Sequence, residues 1–343
     1  MSTINKPILV IDGLNFFLRH FMVNQTVTLG GELVGGVVGF VKGVGSLASL
    51  LHPEQIIVVW EQGGPSPRRK HIYSEYKANR ATSKALQSVY RNDGKIMPNA
   101  DGKNKVFQLQ LLAKALGNLP ICQMYLPDTE ADDIIAYIVK RKLQGSSQTK
   151  IVVSNDKDFY QLLEDPTVRI YDPARKILID EAYVLKTFGI SPRNITLARA
   201  VAGDPSDNLN GVAGVGLKTI AGRFPDIKRT DIDLDLAWIK EASTEALNES
   251  KKPPKCFSSI ISEMSVVERN WKLMYLDTNC LASTQLAKVD YKLENFQAVS
   301  NRLDFIKTFV AADISFSQDL DLAFSATRSL VRQNLSTSKV DCT

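Results

Sequence analysis

Histidine is scarce in this chain and cysteine never comes in pairs. Only His20, His52 and His71 are present, too few and too dispersed for a histidine-based metal site. Cys122, Cys256, Cys280 and Cys342 show no CxxC spacing, which argues against a zinc ribbon or a disulfide framework and for a reducing compartment. No apolar run is long enough to span a bilayer. Met1–Lys6 leads straight into a strand-like segment, so neither a secretory signal nor a membrane role is expected, and the protein is expected in the cytoplasm. The glycine-rich stretch 35–45 lacks the GK[ST] ending of a phosphate loop. Its glycines at 35, 39 and 43 fall on one helical face, where they predict close backbone packing.

Carboxylates are what the chain does have, in four separated groups, each at a strand end or helix start. They are Asp12 after Ile8–Ile11; Glu130, Asp132 and Asp133; Asp156 and Asp158 after Ile151–Val153; and Asp204 and Asp207. Singly each has an ordinary explanation: a strand-end turn, acids complementing a helix dipole, a helix cap, a loop acid. Four groups in matching contexts point to one cluster, and crowded carboxylates need cations. Hard oxygen ligands select Mg²⁺ or Mn²⁺. The net charge is +5, unevenly spread: residues 63–114 hold eleven Lys or Arg against Glu75, Asp93 and Asp101. A basic block beside an acidic centre suits a protein that grips a phosphate backbone, although a solvated charged face is the plainer alternative for such a block alone.

Aliphatic strands at 7–11, 55–60 and 150–153 alternate with helical patterns, predicting an α/β fold with a mainly parallel central sheet flanked by helices. The spacing of Val106, Leu109, Leu112 and Leu116 predicts an amphipathic helix over 106–119, and Thr129 is placed to cap a helix over about 130–143. Residues 65–104 are basic and poor in aliphatic periodicity, with turn signals at Asn92–Gly94 and Asn99–Gly102; they predict a functional or mobile region. The chain looks helical after Pro192, and residues 325–343 form a polar tail. The string Gly211–Thr219 (GVAGVGLKT) has the glycine spacing of a helix–hairpin–helix, though a helix C-cap followed by a loop would also place glycines there.

The ordered motifs ILVIDGLNFF (8–17), EYKANR (75–80), TEADDIIAYIVK (129–140), VVSNDKDFYQLL (152–163) and AVAGDPSDNLNGVAGVGLKTI (200–220) resemble the 5′ nuclease superfamily. That group comprises flap endonucleases, the 5′ nuclease domains of bacterial polymerases, and phage 5′ exonucleases and replication RNases H. The resemblance covers roughly residues 6–225. It implies a PIN-like 5′ nuclease domain over 1–190 with a helical arch at about 65–110, then a helical DNA-binding domain over 191–324 with the helix–hairpin–helix at about 203–224. It further implies a monomeric, stand-alone enzyme, without a polymerase domain, in a bacterial or phage-infected cell.

By the resemblance, Asp12, Glu130 and Asp132 hold a first Mg²⁺ or Mn²⁺, with Asp133 close by, and Asp156, Asp158, Asp204 and Asp207 serve a second, directly or through water. The family usually carries an Asp after the second strand; here Glu61 stands in its place, ligating directly or through water. Lys77 would neutralise charge on the phosphate, Tyr76 stack on a base and Arg80 steer the 5′ strand. The basic stretch that includes Arg68, Arg69, Lys70 and Lys84 would form the arch. Gly211, Gly214, Val215, Gly216, Lys218 and Thr219 would grip duplex phosphates, with K⁺ at the hairpin. The implied activity is two-metal 5′→3′ exonuclease and flap-endonuclease cleavage of DNA with a 5′ single-stranded end or of an RNA–DNA primer hybrid. A single-strand-binding protein or sliding clamp is the candidate protein partner. A structure-specific DNA-binding protein without catalysis is the competing class, and Glu61 is the departure that favours it; a small toxin-like RNase would lack the hairpin and arch.

Overall fold

The computed structural model describes residues 6–61, 64–78, 103–249 and 251–337. The expected arch residues 79–102, including Arg80, Lys84 and both turn signals, lie outside them.

The first half of the chain runs β1 (Ile8–Asp12), α1 (Gly13–Val23), α2 (Gly35–Leu51), β2 (Gln55–Trp60), α3 (Pro67–Ile72), α4 (Lys103–Leu116) and β3 (Cys122–Tyr125). Next come α5 (Ala131–Tyr137), β4 (Lys150–Val153), a 3₁₀ helix (Lys157–Glu164), β5 (Val168–Asp172), β6 (Ile177–Ile179) and α6 (Glu181–Phe188). The sheet order is β3-β2-β1-β4-β5-β6, parallel except for the β5–β6 pair. All five residues of β1 are buried because helices cover both faces, which is why the strand is a continuous aliphatic run. Its side chains alternate: Leu9 and Ile11 pack toward α1, α2 and α4, whereas Ile8 and Val10 pack toward α5 and the 3₁₀ helix.

Strand order reverses at β1, whose neighbours are β2 on one side and β4 on the other. In open parallel sheets the crevice beyond the strand ends at such a reversal is where ligands bind. Asp12 closes β1, and Ser154-Asn155-Asp156 follow β4 in register with it, since Val153 pairs with Ile11.

The helical remainder comprises α7 (Ile195–Ala202), an antiparallel ribbon of β7 (Gly203–Asp204) and β8 (Leu209–Asn210), and then α8 (Leu217–Arg223), α9 (Leu236–Glu249), α10 (Lys255–Ser262) and α11 (Met264–Met274). It ends with α12 (Ser283–Glu294), α13 (Arg302–Val310) and α14 (Gln318–Thr337). These helices divide between the two faces of the sheet. Ile220, Phe257, Ile260 and Val267 join the core on the α5 side, while Phe305, Phe309, Leu320 and Phe324 pack with α2 and α4 on the other. The glycines of α2 serve the packing predicted for them. A Cβ at Gly35 would lie 1.8 Å from the Asn24 carbonyl oxygen, and one at Gly39 2.7 Å from the His20 ring on α1; Gly45, outside that predicted set, would bring a Cβ 2.5 Å from the Ala323 backbone on α14.

Three local expectations are corrected. The polar tail does not begin at Ser325: α14 runs through that point, with Thr327 and Leu330 buried and Ser325, Arg328 and Ser329 exposed. In α4, Val106 is 54% exposed, and the inward face is Leu111, Leu112, Ala115 and Leu116 together with buried Gln108. The Gln108 amide donates to Leu33 O and accepts from Val37 N, satisfying a first-turn amide of α2 that would otherwise be orphaned. Thr129 does not cap α5; its hydroxyl donates to Pro127 O, and α5 widens into a π turn over Ile138–Lys142.

Candidate active site

The acidic groups gather beyond the C-terminal ends of β1, β2 and β4, where α5 and the β7–β8 ribbon also arrive. Asp12 accepts from Asn15 N at 3.1 Å and from the Ser154 hydroxyl at 3.2 Å. Ser154 in turn accepts from Asp156 N, so one hydroxyl ties the end of β1 to the loop after β4. Asn15 donates to Asn155 Oδ1 at 2.7 Å across the same gap. Glu61 follows β2, and its Oε2 accepts from Ala131 N at 3.2 Å, placing a carboxylate from a neighbouring strand on the first turn of α5.

Eight of the nine carboxylates fall into two electrostatic kinds. Asp12, Glu61, Asp132 and Asp156 repel one another. Burial, then Glu61 and Asp156, push the Asp12 carboxyl from its ordinary 3.8 to about 7. Burial, Asp156, Asp12 and Glu61 hold Asp132 well above its usual range. Asp132 has no hydrogen-bond or ion-pair partner among the described residues. Among those residues no three acidic, histidine or cysteine side chains have closed into a ready-made ligand cage.

Glu130, Asp133, Asp158 and Asp204 are matched by cations of the chain itself. Glu130 is buried yet held down at about 2: burial opposes its ionisation, but Arg69 at 3.1 Å, Lys77 at 2.5 Å and the Ser66 amide outweigh it. Asp133 is gripped at both oxygens by the Arg69 fork, each bond 2.9 Å, so it acts as an anchor rather than an open ligand. One nitrogen of Arg199 on α7 donates to Asp158 at 2.8 Å and to Asp204 at 2.7 Å. Burial and then Asp156 raise Asp158 to about 7 despite that contact. Asp204 also accepts from Ser206 N and Oγ.

The turn at Glu75–Lys77 is zipped to the tip of the β7–β8 ribbon. Lys77, in a left-handed conformation (φ 57°), donates its amide to Asp207 O; Asn208 donates to Glu75 O; and the Tyr76 hydroxyl donates to Asp207 Oδ2 at 3.2 Å. This departs from two expectations. Tyr76 is only 3% exposed, packed with Leu209, Leu273 and Met274, and presents no face for a base. Arg69 is 1% exposed, its Nε donating to Leu273 O, so it contacts no external phosphate as it stands. Lys70 is exposed and Arg68 half-buried, reaching Asp133 at 3.6 Å.

In the 211–219 string the residues divide again. Gly211 is a packing glycine, since a Cβ there would lie 2.2 Å from the Ala202 carbonyl; Val215 is buried and its amide donates to Val212 O. Gly214 and Gly216 face open space, and Lys218 is exposed with Thr219 half-exposed beside it. Sequence reasoning missed Arg199, Ser154, Asn15 and Ser66. The signal for Arg199 was a lone cation one helical turn before Asp204 in an otherwise apolar helix.

The 5′-3′ exonuclease N-terminal resolvase-like domain matches residues 7–189, more than half of the chain. The chain belongs to the 5′-3′ exonuclease family. A 5′-3′ exonuclease of Aquifex aeolicus is 28% identical over 256 residues, covering 68% of this chain and 81% of its own length. The thermostable DNA polymerase I of Thermus aquaticus is 29% identical over 304 residues, 87% of this chain but 32% of that longer protein. Among solved structures, a zinc-bound T5 5′-exonuclease aligns at TM-score 0.61 and 17% identity, covering 95% of this chain and 99% of its own. The catalytic core of Rad2 with a DNA substrate aligns at TM-score 0.51 and 13% identity, covering 96% and 92%. The resemblance to 5′ nucleases and the mainly parallel fold are thereby borne out, and this family member is a nuclease. No helix among the described residues is long and apolar enough to cross a membrane.

Proposed function

We propose that this 5′-3′ exonuclease family member is a Mg²⁺-dependent, structure-specific 5′ nuclease that removes 5′ flaps or RNA primers during DNA replication. The observation that carries the reading is the mutually repelling set of buried Asp12 and Asp132 with half-buried Glu61 and Asp156 at the reversal point of the sheet. Such an oxygen-only donor set fits hard divalent cations, which would offset the repulsion that now raises Asp12 and Asp132. Asp12, Asp132 and Asp156 would hold them, with Glu61 reaching them directly or through water. Bound there, the cations supply the Lewis acidity that activates water and stabilises the leaving 3′ oxygen.

The chain's own residues do the rest. Lys77, released from Glu130 by an arriving phosphate, places its ammonium against the developing charge. Asn15 and Asn155 line the mouth of the crevice, and exposed Lys70 extends the positive surface away from it. Gly214, Gly216 and Lys218 form a helix–hairpin–helix grip on duplex phosphates, with K⁺ as its monovalent ion. Binding the duplex there and the 5′ strand at the basic stretch selects a junction by shape rather than by base. The enzyme acts as a monomer in the cytoplasm, with a single-strand-binding protein or sliding clamp as its replication partner.

Product mapping on end-labelled substrates tests this. A 5′ flap and a primer hybrid should be cut at or near the junction with Mg²⁺ and left intact in EDTA. Equal cleavage of a 3′ flap, or undiminished cleavage in EDTA, contradicts the proposal.

A further inference from the structure

The two halves of the acidic cluster are neutralised by different means, and Arg199 makes the difference. Asp12 and Asp132 touch no cationic side chain. Asp158 and Asp204, by contrast, share one Arg199 nitrogen at 2.8 and 2.7 Å, and the guanidinium is buried. Asp204 is saturated: one oxygen holds Arg199, and the other accepts from both the amide and the hydroxyl of Ser206. Arg199 rises from α7, packed behind the ribbon, so its charge is fixed in place rather than carried on a mobile stem. A guanidinium cannot shed its proton and leave neutral.

We infer that Arg199 is a resident counter-ion of the second acidic group, competing there with a divalent cation and making that site the weaker of two. The inference rests on the reading of the cluster as a divalent-cation centre. Its physical content is a sign. If Arg199 merely positioned Asp158 and Asp204 as ligands, removing it would loosen metal binding. As a counter-ion it must oppose metal binding, because a fixed positive charge a few ångströms away repels a dication and occupies its oxygens. Lys77, the cation beside the first group, is bonded to Glu130 and touches neither Asp12 nor Asp132, whose oxygens no cation occupies, so that group would fill first. The protein at low metal would then be singly loaded, with Arg199 keeping the second group from flying apart.

The test is Mn²⁺ titration of EDTA-stripped full-length protein by calorimetry and by the free-Mn²⁺ spin-resonance signal, without substrate. Wild type should show a tight and a weak class. Arg199→Met should tighten the weak class by about tenfold or more and leave the tight class unchanged. Its thermal midpoint should fall in EDTA and recover with Mn²⁺ more steeply than that of wild type. Arg199→Lys, which keeps the charge on a shorter, non-forked stem, should lie between the two and decides the matter if the Met variant does not fold without metal. Unchanged or weaker second-class binding in both variants overturns the inference. Asp12→Asn separates this from the underlying reading: it should abolish the tight class alone. A wild-type protein that binds no Mn²⁺ at all would remove the divalent-centre reading instead.

Discussion

Among the charged residues, burial decided which side chains were misread. Arg69 and Lys70 are neighbours in a basic run and indistinguishable by composition, yet one is the buried fork of Asp133 and the other faces solvent. Arg69→Ala should therefore cost about 3–5 kcal/mol by stranding Asp133 and Glu130, visible as a lowered urea midpoint, whereas Lys70→Ala should stay within ~0.5 kcal/mol and weaken only DNA binding. A run of positive charge tells nothing about partners 60 residues away, and that is why the sequence placed both on DNA. The carboxylates themselves were legible, because each ends a strand or opens a helix. Their pairing was not. The raised groups also set a pH dependence. Asp12 and Asp158, lifted from 3.8 to about 7, hold protons in the folded protein that the unfolded chain has already lost. Metal-free stability must then fall as pH rises from about 4 to 7. Glu130, held near 2, has the opposite sign, but its contribution is complete above 4.5 and is lost only toward pH 2. Melts in EDTA should give a higher midpoint at pH 5 than at pH 8, and saturating Mg²⁺ should erase most of the gap; a midpoint rising from pH 5 to 8 in EDTA would refute the repulsion.

Among the elements, the strands and α2 followed from local pattern, since a covered parallel strand is an unbroken aliphatic run and glycines spaced by four make one face. The C-terminal helix was hidden by its polar surface: over residues 318–330, whose burial is described, Leu320, Ala323, Phe324, Thr327 and Leu330 turn inward between polar neighbours. Its docking partner is α2, nearly 300 residues earlier, against which Ala323 packs at Gly45. Deleting residues 325–343 should therefore lower the thermal midpoint by several degrees, given about 2 kcal/mol for one buried leucine alone. A truncated protein melting with the full-length chain would restore the tail reading. In the same way α4 showed its period, but the exposed Val106 and the buried Gln108 depend on where α2 begins, which no local pattern records.

At the scale of the whole molecule, the sheet's reversal point gathers carboxylates, the Glu75–Lys77 turn is stitched to the ribbon carrying Asp204 and Asp207, and the open glycines Gly214 and Gly216 lie a short chain distance beyond. The 211–219 segment thus follows the acidic centre directly through α7 and the ribbon. If Lys218 contacts one phosphate, Lys218→Ala should reduce the slope of log affinity against log salt by about one for duplex-containing substrates and leave single-strand binding unchanged. The central claim is that the buried carboxylates cut while the surrounding surface binds. Asp132→Asn assayed on one 5′-flap substrate tests it most directly, with binding measured in EDTA and cleavage measured with Mg²⁺. The account predicts wild-type flap affinity together with a loss of cleavage of about a thousandfold or more; full Mg²⁺-dependent cleavage by the variant would contradict it.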